Sequence, residues 1–143
     1  MIYLGSDHGG YELKEKLKGW LKEWGREFED LGNYKLEPSD DYPDFAAQVA
    51  GAIKENDQGI LVCRTGHGMY IAANRFPGVR AILATTPESI TRAREDENVN
   101  VLSIAGDFTE PEKAKELVKT FLEAPFTGQE RHLRRIDKIS KLK

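Results

Sequence analysis

The sequence predicts an α/β fold, with five strands in a mainly parallel sheet and helices on both faces. Three observations carry this expectation. Short β-branched runs alternate with segments of helical spacing five times along 143 residues, and repeated βα alternation builds a parallel sheet. The run GILVC, residues 59–63, is continuously apolar, as suits a strand covered on both faces. No repeat or low-complexity segment breaks the pattern, and the length suits one domain over 1–143.

The elements follow in order. MIYLG at the start reads as a strand. Residues 11–24 place Leu13, Leu17, Trp20, Leu21 and Trp24 at helical spacing. A weaker strand covers about 26–32, where Phe28 and Leu31 are the apolar positions. Pro43 opens a helix through Phe45, Val49 and Ile53. After GILVC, residues 68–75 read as a short helix and RAILA, 80–84, as a strand. PESITRARED (87–96) reads as a helix and NVLSIA (100–105) as a strand. PEKAKELVKTFLEA (111–124) is a helix with proline at its start, and a last helix covers about 128–141.

Composition narrows the function. With 21 basic and 24 acidic side chains the net charge is −3, without the basic excess of a nucleic-acid binder. Residues 1–20 lack a signal-peptide pattern, and no apolar segment approaches bilayer length. A single cysteine forms no internal bridge and points to a reducing, cytoplasmic compartment. The basic cluster RHLRRIDKISKLK, 131–143, reads either as a solvated helix face or as an anion site.

In an open parallel sheet, ligands bind beyond the carboxyl ends of the strands. Three loops are expected at that edge: GSDHGG after the first strand, Cys63 to Gly68 after the third, and Gly106-Asp107 after the fifth. In the first, Asp7 and His8 bring an acceptor and a titratable donor to a helix start, where free N–H groups suit an anion. The plainer reading has Ser6 or Asp7 merely capping that helix. In the second, a thiol facing a helix N-terminus can have a lowered pKa. Its thiolate can take a proton from carbon or attack a carbonyl. Backbone N–H groups near Gly66 and Gly68, with the Thr65 hydroxyl, can hold a developing oxyanion. The plainer reading is a buried structural cysteine, and His67 reads equally as a surface histidine. In the tail, arginine forks such as Arg131 and Arg135 suit phosphate.

Five segments in order, GSDHGGYELKEKL, DYPDFA, GILVCRTGHGMYIAANRFPGVRA, NVNVL and RHLRRIDKI, resemble the RpiB/LacAB sugar-phosphate isomerases, the family of ribose-5-phosphate isomerase B. The resemblance runs nearly end to end. It implies a Rossmann-like three-layer fold, a homodimer or dimer of dimers with active sites between subunits, and aldose–ketose isomerisation without metal or cofactor. By position it implies that Cys63 is the base moving a proton between C1 and C2. Thr65 and the backbone of Gly66 to Gly68 would stabilise the enediolate. Asp7 and Tyr42 would contact substrate hydroxyls, and His8 phosphate or sugar. Asn74 falls in the family's A-A-N segment and joins the substrate-binding set. Arg131 and Arg135 would bind phosphate. Ribose 5-phosphate to ribulose 5-phosphate is the reaction the resemblance implies.

Two departures stand out. Where the family usually carries a histidine that helps open the sugar ring, this chain has Asp96, followed by Glu97 and Asn98. Where it usually carries a phosphate-reaching arginine, this chain has Asp107. Carboxylates near a phosphate dianion repel it, so the half-site lent by the neighbouring subunit reads as rebuilt. His67 is then the candidate for ring opening, with Asp96 able to accept the anomeric proton. The competing readings are an isomerase of a hexose phosphate or an unphosphorylated sugar, a non-catalytic sugar-phosphate binder, and a flavodoxin-like domain.

Overall fold

A computed structural model describes residues 1–142. Five strands form one sheet: β1 (Ile2–Ser6), β2 (Phe28–Asp30), β3 (Gln58–Cys63), β4 (Ala81–Leu83) and β5 (Val101–Ala105). Their order is β2-β1-β3-β5-β4, and all four pairings are parallel. The helices are α1 (Tyr11–Glu23), α2 (Tyr42–Ala52), α3 (His67–Ala73), α4 (Pro87–Glu97), α5 (Pro111–Glu123) and α6 (Glu130–Ser140). A 3-10 turn, His8–Gly10, leads into α1. The expected elements are all present, and the edge strands β2 and β4 are shorter than expected.

Side-chain alternation splits the core into two layers, as a pleated strand requires. In β3, Ile60 and Val62 face one way with Leu13, Leu17 and Leu21 of α1, Ile90 of α4, and Leu117, Val118 and Phe121 of α5. Leu61 and Cys63 face the other way, with Ala46, Val49 and Ala50 of α2 and Met69 and Ala73 of α3. Helix α6 packs on α4. The periodicity of α5 explains its docking: Ala114, Leu117, Val118 and Phe121 share one buried stripe.

Register sets up the site. Ser6 pairs with Val62 and Cys63 with Ala105, so β1, β3 and β5 end nearly level in the middle of the sheet. Their following loops are tied together. Gly106 N–H donates to the Cys63 carbonyl at 2.7 Å, and Asp107 N–H to the Arg64 carbonyl at 2.9 Å. The three loops picked out from sequence therefore meet at one edge.

One polar group sits inside the packing of α1. The Lys14 side chain is 1% exposed, with Nζ 2.8 Å from Asp30 Oδ1, and it also donates to the Asn33 carbonyl. Asp30 Oδ2 accepts from Lys18 Nζ at 3.0 Å, and Asp30 Oδ1 from Gly32 N–H at 2.9 Å. Burial pushes the Lys14 ammonium pKa down and Asp30 opposes it. Burial also works to raise Asp30, but Lys14, Gly32 and Lys18 together hold its carboxyl below the usual range. The Asp30 contribution is therefore present above the unfolded-state value of about 4 and is lost as pH falls through the lower folded value.

Removing one member of a buried pair leaves an uncompensated charge. Asp30→Ala is expected to cost about 3–5 kcal/mol in urea unfolding. Lys14→Met is expected to cost less, because Asp30 keeps Lys18 and the Gly32 N–H. A smaller loss for Asp30→Ala than for Lys14→Met would overturn this account.

Candidate active site

The site forms where β3 passes into α3. Gly66 lies at φ +78° and caps α3, a left-handed conformation that favours glycine. A Cβ there would also stand 2.6 Å from Leu83 Cδ1. This turn brings the Gly66 N–H to 3.1 Å from Cys63 Sγ, and the backbone N–H groups of Met69 and Thr65 add to its influence in lowering the thiol pKa. The Gly66 carbonyl accepts from the buried Ser103 hydroxyl at 2.6 Å, which pins the turn to β5. Thr65 Oγ1 accepts from the N–H of His67, the first residue of α3, at 3.3 Å.

A cleft of about 280 Å³ opens above this turn, lined by Asp7, His8, Tyr42, Cys63, Arg64, Thr65 and Gly68. Tyr42 begins α2, and its ring lies against Gly68. A Cβ on Gly68 would sit 2.3 Å from Tyr42 Cε1, so only glycine allows the ring this close. Cys63 is 5% exposed yet forms part of the cleft wall. Burial pushes its thiol pKa up, against the opposing N–H groups, and the Asp7 carboxylate adds to the rise. The expectation of a lowered thiol pKa is corrected here: loss of solvent outweighs the helix-start amides.

Asp7 does cap the 3-10 turn, its Oδ1 accepting from Gly10 N–H at 3.1 Å, and burial raises its carboxyl pKa. The capping and functional readings of Asp7 are thus compatible, since the same side chain borders the cleft. His8 is held by Asp40: Nδ1 lies 2.6 Å from Oδ1, and the His8 backbone N–H donates to the same oxygen at 3.1 Å. Asp40 Oδ2 accepts from Asn33 Nδ2 at 2.9 Å. Burial works to raise Asp40, yet Asn33 and His8 hold it below the usual carboxylate range. Asp7, His8 and Asp40 bring ligand-type atoms within 4.8 Å of one another, but the His8–Asp40 contact already satisfies the atoms that face each other.

Other expected residues lie elsewhere. Asn74 does not face the cleft: its amide is spent on both backbone groups of Ala81, at 2.9 and 2.7 Å, so it ties α3 to β4. His67 is exposed and turns its ring to the Tyr70 hydroxyl, with Nδ1 at 3.4 Å. It is not among the residues bordering the cleft. The Gly66 N–H donates to the Cys63 sulfur. Asp96 is on α4, 3.2 Å from Arg92 and 3.5 Å from His132 of α6. Arg131 and Arg135 are exposed on α6 and do not border the cleft of their own chain.

Four residues escaped the sequence reading. Asp40 and Asn33 lie in the polar stretch 33–41, which has neither helical nor strand periodicity, so nothing local marks them. Ser103 is one small residue in an apolar strand. Arg64 is the guanidinium bordering the cleft, and its place beside Cys63 was the signal available.

Similarity to known proteins agrees with the geometry. The family described as Ribose/Galactose Isomerase matches residues 2–139. The ribose-5-phosphate isomerase B of Escherichia coli is 40% identical over 97% of this chain and 93% of its own. The Mycoplasma genitalium ribose-5-phosphate isomerase B, solved with bound ribulose 5-phosphate, superposes with a TM-score of 0.92 at 41% identity, covering 98% of this chain and 93% of its own. A ribose 5-phosphate isomerase of Thermotoga maritima is 48% identical with a TM-score of 0.92, covering 99% and 97%.

The raised Cys63 pKa has a direct readout. Iodoacetamide should alkylate Cys63 more slowly at pH 7 than it alkylates a free cysteine, with the rate still climbing above the ordinary thiol value of about 8.5. A rate that has already levelled off by pH 7 would contradict the assigned direction.

Proposed function

The chain belongs to the ribose/galactose isomerase family, and from that premise we propose that it interconverts ribose 5-phosphate and ribulose 5-phosphate through an enediolate, with Cys63 as the base. One observation carries the reading: the lone thiol borders a cleft at the carboxyl edge of the sheet, with backbone N–H groups on its sulfur and Asp7, His8 and Tyr42 around it.

The chemistry follows from that setting. A proton next to a carbonyl is weakly acidic, so its removal needs a placed base and a neutralised oxyanion. A raised thiol pKa reduces the thiolate fraction but makes each thiolate a stronger base. The Gly66, Thr65 and Met69 N–H groups stabilise the sulfur when it carries charge. Cys63 takes the C2 proton of the open aldose and returns it to C1. Thr65 and the first turn of α3, including Gly68, are the groups assigned to the enediolate oxygens. Asp7 and Tyr42 take the sugar hydroxyls.

Phosphate recognition is assigned to a homodimer. Arg131 and Arg135 stand away from the cleft of their own chain, so they serve the cleft of a second copy. The lone cysteine supports a cytoplasmic setting. Among the described residues, no helix is long and apolar enough to cross a membrane.

Two measurements test these assignments. Cys63→Ser should lower ribose 5-phosphate turnover by about 10²–10⁴-fold, the usual span for a general base, and should stop solvent deuterium entering C1 of ribulose 5-phosphate. Deuterium incorporation at the wild-type rate would remove Cys63 from the reaction. Mixing Cys63→Ser with Arg131→Ala/Arg135→Ala chains, under conditions that exchange subunits, should restore about a quarter of wild-type activity, since half the dimers are mixed and each has one intact site. No recovery would place the arginines and the cysteine of each site on the same chain.

A further inference from the structure

We infer that His8 and Asp40 form a dyad that opens the sugar ring, with His8 as the catalytic residue and Asp40 as its positioning residue. The inference rests on the isomerase reading above and extends it to a step that Cys63 does not perform. An aldopentose phosphate is largely a closed furanose, and its C2 proton becomes acidic only once C1 is a free aldehyde. The cleft therefore needs a second group that moves a proton between the anomeric hydroxyl and the ring oxygen.

His8 fits that task by geometry. Its ring borders the same cleft as Cys63, and Nδ1 is fixed 2.6 Å from Asp40 Oδ1. Asp40 is itself immobilised by the His8 N–H and by Asn33, and its carboxyl stays in the ionised range. An ionised carboxylate only accepts, so Nδ1 must carry the hydrogen. With Nδ1 protonated, Nε2 is the nitrogen that takes and gives a proton, and it has no hydrogen-bond partner among the described residues. The other titratable groups bordering the cleft have other tasks: Asp7 and Tyr42 are assigned to the sugar hydroxyls, the Arg64 guanidinium only donates, and the thiol is reserved for carbon.

The step balances without a co-reactant. Nε2 takes the proton from the anomeric O1. The O1–H electrons form the C1=O1 double bond, and the C1–O4 bond breaks with its pair on O4. The imidazolium, paired with the Asp40 carboxylate, returns the same proton to O4. O1 and O4 are bonded to one carbon, so a single ring nitrogen can serve both.

The test separates ring opening from carbon-proton transfer. Ribulose 5-phosphate cannot close a ring, because O5 carries the phosphate and closure through O4 would make a four-membered ring. Deuterium exchange at its C1 therefore reads the Cys63 step alone. Asp40→Asn is expected to lower kcat for ribose 5-phosphate by at least about tenfold, with C1 exchange in ribulose 5-phosphate kept within about threefold. Asp40→Glu, which retains the carboxylate, should recover part of the loss. His8→Gln should lower ribose 5-phosphate turnover at least as far as Asp40→Asn, and again further than it lowers exchange. Equal losses in both assays, or no loss in either, would overturn the dyad. A wild-type protein inactive in both assays would instead remove the isomerase reading on which the dyad stands.

Discussion

The left-handed turn at Gly66 is the constraint on which the site depends. At φ +78° it reverses the chain directly after Cys63, so that the next amides point back at the sulfur. A residue with a side chain would face both an unfavourable backbone conformation and a collision with Leu83. The turn is also anchored from below, where Ser103 on β5 donates to the Gly66 carbonyl. The sheet order places β5 beside β3, which makes that anchor possible. Topology, one glycine and one serine together decide where the thiol points.

A second chain of contacts delivers the polar wall opposite the thiol. Lys14 of α1 reaches out of the core to Asp30 at the end of β2 and to the Asn33 carbonyl. Backbone bonds between Ser6 and residues 32 and 33 continue the pairing beyond β2. Asn33 then holds Asp40, and Asp40 holds His8. A buried ion pair is weak evidence for net stability, since desolvating two charges offsets much of their attraction. Its clearer consequence here is orientational: it fixes an aperiodic loop that would otherwise be free to vary, and the loop carries the residue that sets the His8 ring.

The sheet and its helices were legible because both periodicities were clean. GILVC reads as a buried strand, and Ala114, Leu117, Val118 and Phe121 fall on one stripe. The meeting of the loops after β1, β3 and β5 followed from the rule for parallel sheets. The direction of the thiol pKa is not legible because sequence shows the helix start but not the depth of burial, and burial is the larger influence on the sulfur. Asn74 was misplaced because an asparagine in a helical segment gives no sign that its amide will bridge to a neighbouring strand. The His8–Asp40 contact spans 32 residues through a loop without periodicity, so no local pattern could reveal it.

The two acidic departures also change meaning once their neighbours are known. Asp107 was expected to repel a phosphate, but it lies 3.5 Å from Arg64, which borders the cleft. Asp96 is likewise paired, with Arg92 at 3.2 Å, and His132 of α6 lies 3.5 Å away. Both ends of the Arg64–Asp107 pair are well exposed, so it is worth at most about 1 kcal/mol and a dianion competes readily for the guanidinium. Arginine and carboxylate together add no net charge to that edge, whereas an unpaired Asp107 would oppose any anion there. The acidic residue that looked hostile to a sugar phosphate is therefore paired, with its cation placed on the β3 loop beside the thiol.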